Sequence, residues 1–103
     1  MHVTLTRVST GDQPISTATI VGEEMHGWLR DLEGFEGFLL ISREGTTIGL
    51  TFWASAEIAE RYRAARDEFR SRMTSVAGVQ IQEVVDYELT FAQLGALVAE
   101  SQR

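Results

Sequence analysis

Few side chains in this sequence could carry chemistry, and most of them sit on two helical patterns. Ile58, Tyr62, Ala65, Phe69, Met73 and Val76 recur at steps of four, three, four, four and three, which makes one apolar stripe along a helix. Tyr62 at its centre is expected to be buried, with a hydroxyl that needs a backbone, water or phenolic partner. An earlier stripe holds Val21, Met25, Trp28, Leu29 and Leu32. Trp53 stands between the two patterns at the end of an apolar strand. There an indole either stacks on a planar ligand or fills the strand–helix corner. Trp53, Tyr62, Trp28 and Phe69 are therefore the candidates for binding an apolar substrate.

Two polar side chains flank these stripes. His26 lies about 110° from the centre of the first stripe, where an imidazole can serve as a base near neutral pH or simply mark the helix edge. Arg66 flanks the second stripe and could anchor a ligand anion or carbonyl, although the ordinary expectation is that its stem covers apolar surface while its head reaches water. Neither is a catalytic assignment by itself. Glu83 and Asp86 belong to one strand pattern and their separation puts them on opposite faces, so they do not form a carboxylate pair. His2 is too near the terminus to support an inference.

The rest of the chemistry is set by exclusions. There is no cysteine, so disulfides, thiolate nucleophiles and thiolate-bound metals are ruled out. His2 and His26 are far apart in sequence, and no phosphate loop, dinucleotide fingerprint, zinc-protease motif or nucleophile elbow occurs. Neither a metal nor a cofactor is expected. The net charge of −6 with nine arginines and no lysine offers no basic stripe for nucleic acid. No run approaches the ~20 apolar residues of a membrane span, and the start lacks a secretory pattern. A cytoplasmic protein without a membrane partner is the expectation.

At 103 residues, 23% charged and 44% hydrophobic, the chain is expected to form one domain with a core over about 1–91 and a tail over 92–103. Its elements must place the candidates above. Met1 to Ser9 reads as a strand with Val3, Leu5 and Val8 among threonines. Thr10 to Pro14 is a turn, and a helix follows from Ile15 or Ser16 to Glu33, closed by a left-handed Gly34. Phe38–Ile41 and Ile48–Trp53 form a hairpin about Glu44-Gly45. Ser55 caps a long helix to Val76, and Gly78 ends it. Arginines and acids on this helix suggest pairs Glu57–Arg61, Arg63–Asp67 and Glu68–Arg72 at i,i+4. Val79 to Phe91 is the last strand, with an irregularity expected near Glu83. Residues 92–101 could add a short helix or a frayed end. The order is βαββαβ: an α+β, ferredoxin-like unit with two helices on one face of a four-stranded antiparallel sheet.

The hairpin is apolar on both parities, Phe38 and Leu40 against Leu39 and Ile41, with Ile48, Leu50 and Phe52 opposite Trp53. A sheet with helices on one face and water on the other should alternate cleanly. The second face therefore needs a cover, and a second copy of the same sheet is the simplest one. A homodimer through sheet-to-sheet packing is the expectation.

Three local features in this order resemble the antibiotic biosynthesis monooxygenase (ABM) family of dimeric α+β barrels. Gly34-Phe35-Glu36-Gly37 is similar to that family's Pro-Gly-Phe-x-Gly entry into the second strand. Thr51-Phe52-Trp53-Ala54-Ser55 is similar to its Trp-x-Ser step into the second helix, and Ala56-Glu57-Ile58-Ala59-Glu60-Arg61-Tyr62 to its Glu/Ala-rich helix opening. The resemblance covers about residues 1–91. It implies a homodimer with a ligand pocket between sheet and helices in each subunit. The family includes cofactor-independent oxygenases of polycyclic phenols and haem-degrading enzymes that use an Asn, a Trp and a His. Trp53 matches that Trp, but the chain contains no Asn. Haem degradation is therefore not expected. Two functions stay open: a cofactor-independent monooxygenase acting on an aromatic or polyketide-like small molecule, and a non-catalytic dimeric binding or accessory protein on the same scaffold.

Overall fold

The computed structural model describes residues 1–95. Its elements are β1 (His2–Ser9), α1 (Ile15–Leu29), β2 (Phe35–Arg43), β3 (Thr46–Trp53), α2 (Ala56–Arg61), α3 (Arg63–Ala77) and β4 (Gln80–Glu88). The sheet order is β2-β3-β1-β4 and every neighbouring pair is antiparallel. This is the expected βαββαβ unit. The tail helix expected over 92–101 lies mostly outside the described residues.

The hairpin closes with a two-residue loop in which Gly45 takes φ 83°, a left-handed value that a side chain resists. Ser55 caps α2 as expected, its Oγ accepting from the Ile58 amide at 3.2 Å. The irregularity in β4 is present: the register with β1 shifts between Arg7, opposite Glu83, and Val8, opposite Ile81, so Gln82 is the extra residue.

Four details differ from the sequence reading, the first being that β4 ends at Glu88, short of the expected Phe91. α1 ends at Leu29, and Arg30 to Gly34 form turns with Leu32 N donating to Leu29 O and Phe35 N to Leu32 O. Gly34 is left-handed at φ 85°, but it joins this turn to β2 instead of capping the helix. The long second helix is interrupted at Tyr62, which sits at φ −100°, ψ 10°. Arg66 reaches back with Nη2 to the Ala59 carbonyl at 2.6 Å, a group that an unbroken helix would present to the Arg63 amide. Of the three anticipated i,i+4 pairs, Glu68–Arg72 forms at 3.5 Å. Arg63 turns instead to Glu60 and Asp86, and Arg61 approaches Glu33.

The two faces of the sheet carry different chemistry. Register and alternation give the inner, helix-covered face the rows Phe38–Thr51–Thr4–Asp86 and Leu40–Gly49–Thr6–Val84. The outer face carries Leu39–Leu50–Leu5–Val85, with Ile41 and Ile48 on one side and Phe52, Val3 and Tyr87 on the other. Ile41 is 58% and Tyr87 52% exposed on this face.

The core lies off centre. Leu29, Trp53 and Ala59 are its buried members, surrounded by Met25, Trp28, Leu32, Phe35, Ile58 and Tyr62. This cluster occupies the corner where α1 ends, β3 ends and α2 begins. Away from it, α1 is held to the sheet by Leu40, whose side chain sits against both Gly22 and Gly49. A Cβ at Gly22 would come within 2.7 Å of Leu40 Cδ1. Among the described residues, no helix is long and apolar enough to cross a membrane.

Candidate functional site

Between the inner sheet face and the helices is a cavity of about 100 Å³, partly open to solvent and mostly apolar. Thr6 and Val8 of β1, Phe38 and Leu40 of β2, and Thr47, Gly49 and Thr51 of β3 form its floor. Val21, Met25, Trp28 and Leu29 of α1 form one wall, and Arg66, Phe69, Arg70 and Met73 of α3 the other. Trp28 and Phe69 stack across the two helices at 4.8 Å and an angle of 2°. The threonine-rich alternation that favoured a strand at β1 thus also sets hydroxyls into an otherwise apolar floor.

Arg66 is the polar centre of this site. It is only 6% exposed, so its head does not reach water as a flanking arginine was expected to do. Its Nη1 donates to Thr4 Oγ1 at 3.3 Å and its Nη2 to the Ala59 carbonyl, while the guanidinium carbon lies 5.3 Å from the Trp53 ring centre. Among the described residues, Arg66 Nε and Trp53 Nε1 are buried without hydrogen-bond partners. Burial, and then repulsion from Arg70, lower the Arg66 pKa against the opposing pull of Asp86. An arginine so lowered still keeps its charge at neutral pH.

A polar chain runs from Arg66 to the terminus of the sheet. Thr4 Oγ1 accepts from Arg66 and donates to Asp86 Oδ1 at 2.9 Å. His2 Nε2 is 3.3 Å from the same oxygen, and Arg63 Nη2 is 3.4 Å from Asp86 Oδ2. Burial alone would raise the Asp86 pKa, but the Thr4 hydroxyl, His2 and Arg63 together outweigh it and hold the carboxyl below its ordinary value. Sequence reasoning passed over Thr4, His2 and this role of Asp86. The signal that could have revealed it was the even parity of His2, Thr4, Thr6 and Val8, once β1 was paired with β4.

The candidates named from sequence are not all brought together. Trp28, Phe69 and Arg66 line the cavity. Trp53 is fully buried in the core, 5.8 Å from the Tyr62 ring and 5.9 Å from Phe35, and neither Trp53 nor Tyr62 reaches the lining. His26 is exposed on α1, where it stacks on Phe38 at 6.4 Å and does not line the cavity. No carboxylate or imidazole lines the cavity among the described residues. The arrangement can therefore desolvate a small molecule and hold a negative charge or a carbonyl oxygen beside Arg66. Among the described residues it presents no carboxylate or imidazole that would take a proton.

No protein-family model matches the chain, and no curated protein is significantly similar to it in sequence. Solved structures do share its shape. A protein from Deinococcus radiodurans provisionally assigned as an antibiotic biosynthesis monooxygenase aligns at a TM-score of 0.70, with 12% identity over 90% of this chain and 96% of that one. SnoaB, a cofactor-independent oxygenase from Streptomyces nogalater, aligns at 0.65 with 14% identity over 88% and 95%. Rv0793 from Mycobacterium tuberculosis aligns at 0.57 with 14% identity over 90% and 97%. Each match spans nearly all of both chains, so the ABM-like fold extends over most of this chain's length. Identities this low carry the fold and no residue's role.

Proposed function

We propose that this ABM-like domain acts as a homodimer that takes an aromatic or polyketide-like small molecule into the cavity and oxygenates it without a cofactor. The single observation behind this reading is a buried cation, Arg66, at the edge of an apolar, threonine-floored cavity in an ABM-like fold. The fold is also that of SnoaB, itself a cofactor-independent oxygenase. In such a reaction the substrate supplies the electrons. A phenol or enol loses its proton, the anion passes electrons to dioxygen, and a CH2 group becomes C=O with the second oxygen leaving as water. Arg66 would favour the substrate anion by charge and hydrogen bonding, and the dry walls would strengthen that interaction. Trp28 and Phe69 would contact the ring, with Trp53 and Tyr62 behind them holding Arg66 and the end of α2. With no base in the lining, the proton would leave to solvent through the open side.

Purified protein incubated with oxygen and a panel running from single-ring phenols to hydroxyanthrones tests this directly. Oxygen uptake above background that falls at least tenfold in Arg66→Lys is the expected result. No uptake with any member would count against catalysis.

A second reading is a dimeric binding or accessory protein on the same scaffold. The absence of an acid or base from the described lining favours it. It predicts ligand binding without turnover, and it fails if Trp53→Phe or His26→Ala abolishes a measured turnover while the protein stays folded. Homodimer formation is supported by the apolar outer face, whose Leu39, Leu50, Leu5 and Val85 row would be covered by the same row of a second copy.

A further inference from the structure

We infer that the cavity selects a small monoanion: a carboxylate or phenolate on an apolar body of about one ring. This rests on the reading of the cavity as a ligand site and narrows its ligand in charge and size. The charge follows from the lining. Its only ionisable side chains among the described residues are Arg66 and Arg70, both cationic, in a chain whose net charge is −6. Arg70 is tied to Asp67 at 2.6 Å, whereas Arg66 reaches Asp86 only through Thr4. Arg66 Nε is itself fully buried, so the attraction between Arg66 and an anionic oxygen in the cavity is one of charge, acting across an apolar and poorly solvated wall. Thr6 and Thr51 on the floor add hydroxyls that can donate to a ligand oxygen. A neutral ligand would leave the guanidinium charge in the wall uncompensated, as would a cation.

The size follows from the volume. A dry engineered cavity of about 150 Å³ accommodates benzene, whereas pockets for drug-sized ligands run to several hundred Å³. This cavity holds about 100 Å³ and is partly open. One ring can enter with its far edge toward solvent. A fused tricycle would have to part the Trp28–Phe69 stack and pull Leu40 from between Gly22 and Gly49.

Titration calorimetry with the full chain separates these properties. Benzoate and 4-nitrophenolate are the anionic probes, benzamide is the neutral isostere and anthracene-9-carboxylate is the oversized acid. Saturable binding of benzoate or 4-nitrophenolate at least tenfold tighter than benzamide, and tighter than the anthracene acid, is expected. Whichever of the two anions binds more tightly identifies the headgroup. Arg66→Gln should remove that preference. Should Arg66→Gln fail to fold, Arg70→Gln and Thr51→Val are each expected to weaken the anion severalfold while benzamide changes little. Equal binding of benzoate and benzamide, tighter binding of the anthracene acid, or no binding of either small anion overturns the inference. Oxygenation of a hydroxyanthrone by a protein that binds neither small anion would overturn this inference and leave the proposed oxygenase standing. Tight benzoate binding with no oxygen uptake would do the reverse.

Discussion

Asp86 shows how a residue with no motif around it becomes part of the fold's electrostatics. Its carboxylate joins Thr4, His2 and Arg63, and the folded state holds its pKa below the unfolded value of about 3.9. A depressed carboxyl contributes stability above the unfolded pKa and loses it as pH falls through the folded pKa. Asp86→Asn should therefore lower stability at pH 7 by on the order of 1 kcal/mol, discounted for its partly exposed position, with the difference from wild type closing below about pH 4. Urea unfolding at pH 7, 5 and 3 measures this, and a constant difference across the three would contradict it. Arg66 was visible in the sequence as a flanking residue of an apolar stripe. Its burial was not, because that depends on Thr4 and the Ala59 carbonyl, one brought in by strand pairing and the other by a break in the helix. Trp53, for which the sequence left both a ligand-stacking and a corner-filling role open, is fully buried in the corner, and Tyr62, expected to be buried, is half-buried beside it. His26 illustrates the same limit: an angle on a helical wheel does not say which neighbour covers that side.

At the scale of elements, hydrophobic periodicity placed the four strands and the helical stretches of the described residues, with α2 and α3 read as one helix, whereas the joints escaped it. Periodicity runs smoothly through Tyr62 although the backbone does not, and at that departure the Ala59 carbonyl accepts from Arg66 Nη2. The α1 end was placed late because Leu32 continues the apolar spacing into what is a turn. Gly34 at that turn is doubly constrained, by φ 85° and by Ile58, whose side-chain carbons lie within 2.6 Å of where a Cβ would sit. Gly34→Ala should cost more than about 1 kcal/mol, measured by chemical denaturation, while the exposed Gly27, with open space at its Cβ position, should gain up to about 1 kcal/mol as Gly27→Ala. Ser55→Ala removes the α2 cap and should lower stability by about 1 kcal/mol in the same measurement.

For the molecule as a whole, the doubly apolar hairpin pointed to an outer sheet face that needs a cover, and the structure places Leu5, Leu39, Leu50 and Val85 in one row there. Light scattering at micromolar concentration should give twice the chain mass for wild type and one chain mass for Leu50→Glu, because a charge in a face-to-face sheet interface has no partner to pair with. A folded wild-type monomer would contradict the dimer. Leu29→Ala, in the buried corner, should lower stability by about 2–5 kcal/mol with loss of cooperativity in thermal unfolding. That off-centre corner has a consequence for how such a chain can change. Of the residues in the buried corner cluster, only Leu29, Met25 and Trp28 also face the cavity, joined there by Leu40 and Arg66, which tie the helices to the sheet. Val21, Met73 and Ile81 line the cavity outside that corner cluster and are half-buried, so exchanging them would alter the cavity without touching the corner. The wall of the cavity and the anchor of the fold are thus largely separate, so changes in one need not propagate to the other.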